Sequence, residues 1–286
     1  MGIYEKNPIW DDVVPIAQDD GEDALAQIAY TDEYAEAMGY LRAVMASKEY
    51  SPRVLELTEH IITLNAAHYT VWLYRATTLF ALSSSVPEEL AFVNEIALEN
   101  QKNYQIWHHR QLLIDHLYPS ISDSPTSLKA LADSERDFMT QMFHQDGKNY
   151  HVWSYRQYLV VKLDMFNEAE LKSVGELIKR DVRNNSAWSY RFFLVFSDPK
   201  YSTKGSRANE FDGNIPKEIL DREIEYTKSA HGGFEEGGVR MESLEEFAGD
   251  FVTLGDADGR GEDIRSSHAL DFLADVWGEK GEWEKG

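Results

Sequence analysis

AAHYTVWLYR (residues 66–75), QKNYQIWHHR (101–110), GKNYHVWSYR (147–156) and VRNNSAWSYR (182–191) are one ten-residue phrase written four times. Each carries Trp-x-x-Arg. Four of the seven tryptophans have an arginine three residues on, whereas 14 arginines in 286 residues would place about 0.3 there by chance. An internal repeat of this kind decides the architecture before any single element is assigned.

The tryptophans Trp72, Trp107, Trp153 and Trp188 lie 35, 46 and 35 residues apart. A period near 35 suits a helix, turn, helix unit, and stacked units of that size build an all-α solenoid of helical hairpins. The longer interval holds an 11-residue excess, and the Pro/Ser-rich stretch Pro119 to Pro125 reads as the loop that absorbs it.

Both helices of each hairpin show in the pattern. Eleven and ten residues ahead of the tryptophans sit Ile61-Ile62, Ile96-Ala97, Met142-Phe143 and Leu177-Ile178. Apolar residues recur a turn earlier at Leu57, Val93, Met139 and Val174, which is helical spacing. Ser51-Pro52, Ser134 with Asp137, and Asn167 with Glu170 read as helix starts. Asn65, Asn100, Asp146 and Asp181, each seven residues before a tryptophan, mark the turn between the two helices. The second helix carries Trp and Arg on one face, because positions i and i+3 are neighbours there. They read as structural: each tryptophan wedges between hairpins, and each arginine reaches a carboxylate or helix end of a neighbour.

Outward from this core the pattern weakens. Gly39-Tyr40-Leu41-Arg42 stands where a further Trp-x-x-Arg would fall, and Pro216 to Ala230 reads as the start of a fifth hairpin. Three regions result: an acidic arm over 1–30, the helical repeats over 31–230, and a divergent part over 231–286 that holds 11 of the 18 glycines. Within the last, Met241 to Leu254 and Ser267 to Trp277 still have helical character. Lys200 to Gly213 is polar and reads as a surface loop.

The formal net charge of -22 is concentrated at the ends. Residues 1–50 carry 11 acids and 3 bases, residues 231–286 carry 15 and 5, and residues 51–230 carry 24 and 20. Acidic ends read first as solvated surface. The basic footprint of a nucleic-acid binder is missing. No apolar run approaches the roughly 18 residues needed to cross a bilayer, so the expectation is a soluble, intracellular protein. The chain has no cysteine, which excludes disulfides, a cysteine nucleophile and thiolate metal ligands from its own residues. It also lacks HExxH, a phosphate-cradling glycine loop and Gly-x-Ser-x-Gly. His108 and His109 are helix neighbours about 100° apart and cannot chelate one metal together.

Chemistry concentrates just before two tryptophans. Lys102-Asn103-Tyr104-Gln105 and Lys148-Asn149-Tyr150-His151 set a lysine, a phenol and an amide or imidazole at helix N-termini. Free N–H groups and the positive dipole end already favour an anion there, and a lysine strengthens that preference. A phosphate-bearing ligand is the natural candidate; exposed lysines in polar turns are the plain alternative.

The repeated KNYxxWxxR units, DVRNNSAW at 181–188 and WDDVVPIAQDDG at 10–21 together resemble the alpha subunits of protein farnesyltransferase and type I geranylgeranyltransferase. Trp-x-x-Arg alone would also fit the alpha subunit of Rab geranylgeranyltransferase, and a TPR-like peptide-binding scaffold is a non-catalytic alternative. The resemblance implies a right-handed α-α superhelix, a crescent wrapped around a beta subunit that supplies zinc and the isoprenoid pocket. Magnesium would be a second cation. Together the chains would attach farnesyl or geranylgeranyl from its diphosphate to the cysteine of C-terminal CaaX sequences, carried for example by small GTPases, in the cytoplasm. By motif, Lys102 matches the lysine that contacts the diphosphate and Tyr104 a residue lining the same site, the catalytic pair. Gln105 matches the glutamine that binds the CaaX carboxylate. Lys148, Asn149, Tyr150 and His151 match positions flanking the diphosphate, and Tyr69 occupies the equivalent turn one repeat earlier. The resemblance also implies further Trp-containing helices where this chain reads HGGFEEGG, and more chain beyond Gly286.

Overall fold

A computed structural model describes residues 2–21, 28–201 and 215–231. Among the described residues the regular elements are all helices. They form two compact units, Met1–Met142 and Phe143–Gly286. The expected helices at 241–254 and 267–277, and most of the expected loop at 200–213, lie outside the described residues.

In the first unit a short 3-10 turn, Pro8–Trp10, is followed by α1 (Asp32–Ser47), α2 (Pro52–Leu64), α3 (Tyr69–Ala81), α4 (Val86–Glu99) and α5 (Tyr104–Ile121). Helix α6 (Pro125–Gln145) runs into the second unit, which continues with α7 (Tyr150–Lys162), α8 (Glu168–Arg180), α9 (Asn185–Phe196) and α10 (Lys217–His231). Thus α2/α3, α4/α5, α6/α7 and α8/α9 are the four hairpins whose second helices hold Trp72, Trp107, Trp153 and Trp188.

The start signals act through specific bonds. The Asn167 side chain accepts from the Glu170 amide, and Ser85 accepts from the Glu88 amide, relieving free N–H groups at the starts of α8 and α4. Ser51 precedes Pro52 at the first position of α2 without a side-chain cap bond. Two expectations are corrected. The Pro119 to Pro125 stretch is a loop only over residues 122–124: α5 runs through Pro119 to Ile121, and α6 begins at Pro125. The extra residues lengthen two helices. Pro119 lies in the last turn of α5, and Pro125 opens α6, where a missing N–H costs nothing. Ser134, read as a helix start, therefore lies inside α6.

The tryptophans and arginines hold consecutive hairpins together. The Trp72 ring lies 4.9 Å from His109 and 6.4 Å from Phe92, and Trp153 lies 5.1 Å from Tyr190. Each arginine meets a glutamate on the first helix of the following hairpin. Arg75 makes two bonds to Glu89 at 2.8 and 2.7 Å, and Arg110 reaches Glu135 at 2.6 Å. Arg156 reaches Glu170 at 2.6 Å, and Arg191 makes bonds of 2.6 and 3.0 Å to Glu223 on α10. All eight side chains are buried, so pairing is what makes their charges tolerable in the core. Glu89, Glu135 and Glu170 each stand eighteen residues ahead of the tryptophan of their own hairpin. In the first hairpin the same place is held by Val54, fully buried.

Ahead of α2 the corresponding arginine has another task. Arg42 donates from Nε to the Ile16 carbonyl at 2.8 Å, while the Ile16 amide donates to the Gly39 carbonyl at 3.0 Å. Glu36 accepts from the amides of Ile3, Tyr4 and Glu5, and the rings of Tyr4 and Trp10 pack on Tyr40. Aromatic burial thus anchors the beginning of the acidic arm, while most of residues 11–20 are exposed. No helix of the described residues is long and apolar enough to cross a membrane.

Candidate functional site

The turns between paired helices follow one plan. Oδ1 of Asn65, Asp146 and Asp181 accepts from the backbone amide two residues on, at 3.0 to 3.1 Å, an Asx turn that reverses the chain. An asparagine then caps the second helix of the last three hairpins, whereas His68 ahead of α3 makes no side-chain cap bond. Asn103, Asn149 and Asn184 accept from the amides of Gln105, His151 and Ser186 at 2.9, 3.0 and 3.1 Å. Their extended backbone turns the preceding residue outward and starts α5, α7 and α9.

This geometry places Tyr69, Tyr104 and Tyr150 as the first residues of α3, α5 and α7, 64%, 67% and 71% exposed. Phenols exposed at equivalent places in successive hairpins are not core. Lys102 and Lys148 are exposed one residue before the cap. The Lys148 ammonium lies 4.0 Å from Asp181. Gln105 and His151, at the second helical position, are half-buried, and burial lowers the His151 imidazole from its ordinary value. Asn149, only 3% exposed, meets any ligand second to its role as cap of α7. Tyr69, Lys102, Tyr104 and Gln105 fall in the first unit, and Lys148, Asn149, Tyr150 and His151 in the second.

In two of the four hairpins, α4/α5 and α8/α9, the helix starts differ in charge between the two members, whereas the first turns of α2 and α6 carry no acid. The first turns of α4 and α8 carry Glu88 and Glu89, and Glu168 and Glu170, which oppose the positive dipole end. The first turns of α3, α5, α7 and α9 contain no acid. In the first unit the acid-free start of α5 with Lys102 beside it suits an anion, and in the second unit the start of α7 repeats the arrangement with Lys148.

Two sets of residues escaped the sequence reading. The junction glutamates were hidden because the arginine-to-glutamate separation varies; their constant distance from the tryptophan was the signal. The second set is Asn103 and Asn184, whose amides reach back across the repeat. Asn103 Nδ2 donates to the Ala66 carbonyl at 2.6 Å, and Asn184 Nδ2 to the Gly147 carbonyl at 2.7 Å. Those carbonyls also accept the indole N–H of Trp72 and Trp153, at 2.8 and 3.0 Å. The recurring asparagine four residues before the tryptophan was legible; its second bond was not.

Comparison with known proteins gives one picture. The model of the protein prenyltransferase alpha subunit repeat matches residues 51–82, 86–117, 132–163 and 167–198. The Schizosaccharomyces pombe protein farnesyltransferase/geranylgeranyltransferase type-1 subunit alpha is 53% identical over 102 residues, covering 36% of this chain and 35% of that protein. The Bos taurus geranylgeranyl transferase type-2 subunit alpha is 33% identical over 75 residues, 26% of this chain and 13% of that one. The matched stretch thus spans about a third, or less, of these curated relatives. A solved structure of Candida albicans protein geranylgeranyltransferase-I complexed with GGPP contains a chain with 34% identity and a TM-score of 0.66. The match covers 96% of this chain and 88% of that one.

Proposed function

The chain belongs to the protein prenyltransferase alpha subunit family, and from that premise we propose that it acts as the alpha subunit of a type-1, CaaX-directed heterodimer. The partner is a prenyltransferase beta subunit. The reaction moves farnesyl or geranylgeranyl from its diphosphate to a C-terminal cysteine thiol of the acceptor protein. The observation that carries this reading is the acid-free start of α5 with exposed Lys102 and Tyr104 beside it.

The chemistry asks little else of this chain. As the carbon–oxygen bond breaks, negative charge grows on the departing diphosphate. A lysine directed at it from the positive end of the α5 dipole stabilises the transition state more than the ground state. Tyr104 would add a phenol donor, and Gln105 an amide for the peptide carboxylate. A zinc ion, which would hold the acceptor sulfur as thiolate, does not fit the residues present. The chain has no cysteine, and no group of three or more His, Asp or Glu among the described residues is placed to hold a metal. Zinc, and any magnesium, are assigned to the partner or the diphosphate, and no step here runs through them.

Co-purification with a type-1 beta subunit, followed by incubation with labelled isoprenoid diphosphate and a CaaX peptide, tests the reading. Transfer should need both chains. Lys102→Ala should lower kcat by about a hundredfold while weakening diphosphate binding far less. Transfer to a Rab acceptor but not to the CaaX peptide, or an unchanged kcat in Lys102→Ala, overturns it.

A further inference from the structure

Just ahead of α5 the residue between Lys102 and Tyr104 is Asn103, and its side chain is committed at both ends. Oδ1 accepts from the Gln105 amide at 2.9 Å, fixing the start of α5. Nδ2 donates to the Ala66 carbonyl at 2.6 Å, in the turn that presents Tyr69. Only this orientation of the amide satisfies both contacts, since the reverse would set oxygen against oxygen and N–H against N–H. Ala66 is itself held, because its carbonyl also takes the Trp72 indole N–H at 2.8 Å. The Trp72 ring is buried between hairpins. A rigid line therefore runs from the packed ring, through one carbonyl, to the backbone on which Lys102 and Tyr104 stand.

We infer that Asn103 is a positioning residue for prenyl transfer: it locks the Lys102–Tyr104 turn to the Ala66–Tyr69 turn and so aims Lys102 at the diphosphate. The inference rests on the proposed function for its kinetic consequence, although the lock itself does not. An ordinary helix cap needs only the acceptor. The donor, reaching 37 residues back along the chain, comes from the second polar end of an asparagine amide; an aspartate has no donor, and a serine or threonine has a single hydroxyl oxygen for both tasks. The second unit repeats the device with Asn184, which ties its own turn to Gly147, next to Lys148.

The test separates cap from lock. Asn103→Asp keeps an acceptor for the Gln105 amide and removes the donor, placing a carboxylate against the Ala66 carbonyl. In the chain assembled with a type-1 beta subunit, kcat should fall about tenfold, with KM for the isoprenoid diphosphate changed by less than about threefold. Amide hydrogen exchange over residues 66–69 and 102–105 should quicken. Because Asn103 acts through Lys102, the double variant Lys102→Ala/Asn103→Asp should be no slower than Lys102→Ala alone. Asn167→Ala, which removes the cap of α8 at the other end of a hairpin, should lower Tm and leave kcat unchanged. A wild-type kcat in Asn103→Asp, or losses that multiply in the double variant, overturns the inference while the proposed function stands. If the wild-type assembly transfers nothing, the proposed function fails instead, and exchange decides the lock: faster exchange at both turns upholds it, unchanged exchange refutes it.

Discussion

The two units bury the same kind of carboxylate with different third partners. In the first, Glu89 lies between Arg75 and His109, whose Nε2 is 2.8 Å from Oε1. In the second, Glu170 lies between Arg156 and Tyr190, whose hydroxyl donates at 2.6 Å. The third partner comes from the same place each time, two residues after the tryptophan. The arrangement is one repeated solution, but its protonation behaviour is not. Burial lowers the His109 imidazole from its ordinary value, more than its bond to Glu89 raises it. Burial would raise the Glu89 carboxyl, yet the hydrogen bonds from His109 and Arg75 prevail and hold it below the usual range. Burial pushes the Tyr190 hydroxyl well above its ordinary value, so it stays a neutral donor across the physiological range. The first junction is thus exposed to mild acid in a way the second is not.

Glu170→Gln is the severest way to probe this contrast. It strands the Arg156 guanidinium, 2% exposed, without its carboxylate, and should cost about 3–5 kcal/mol in chemical denaturation. Glu89→Gln should cost less, because Arg75 keeps Glu59 at 3.6 Å. Equal losses would break the comparison.

His109→Tyr gives the first junction the chemistry of the second. A histidine whose folded pKa is lowered contributes stability that is fully present above its unfolded value, about 6.5, and is lost as pH falls toward the folded one. The groups facing it are Glu89, Arg75, Arg110 and the Trp72 ring. Glu89, lowered likewise, loses its contribution only in the more acid carboxylate range. Between about pH 7 and about pH 5 the denaturation midpoint of the wild type should therefore fall more than that of His109→Tyr. Parallel curves would show that His109 is not the sensitive partner.

The smallest expected effect is a gain, equal in both units. Ser83 and Asp164, each eleven residues past its tryptophan, have φ of 52°, in the left-handed region where a side chain is strained. Ser83→Gly and Asp164→Gly should each add about 0.5–1 kcal/mol, read as a rise in Tm. A gain in one alone would show that the exits from α3 and α7 are not equivalent.

How much was legible follows from the range of each interaction. Hairpins, turns and the inward Trp and Arg could be read because their periods are local and four copies reinforce one another. The glutamates could not be found from the arginines, since Arg110 and Glu135 are separated by the lengthened α5 and α6 while Arg75 and Glu89 are not. The added residues themselves looked like a loop because proline and serine usually punctuate, yet the first and last turns of helices tolerate both. At the site, Lys102 and Tyr104 showed as a motif, whereas the reach of Asn103 to Ala66 depends on how two hairpins stack.

Val54 gives the array a direction of reading. Every later hairpin offers a glutamate on its first helix to the hairpin before it and an arginine on its second to the hairpin after it, so the connection works one way only. The α2/α3 hairpin keeps the arginine but has valine where the glutamate would be. An interior hairpin duplicated in place would find a matching socket on each side. The same hairpin spliced in just ahead of α2 would drive its guanidinium into the Val54 methyls. The permissible order of these modules is thus written in the chemistry of a single buried position.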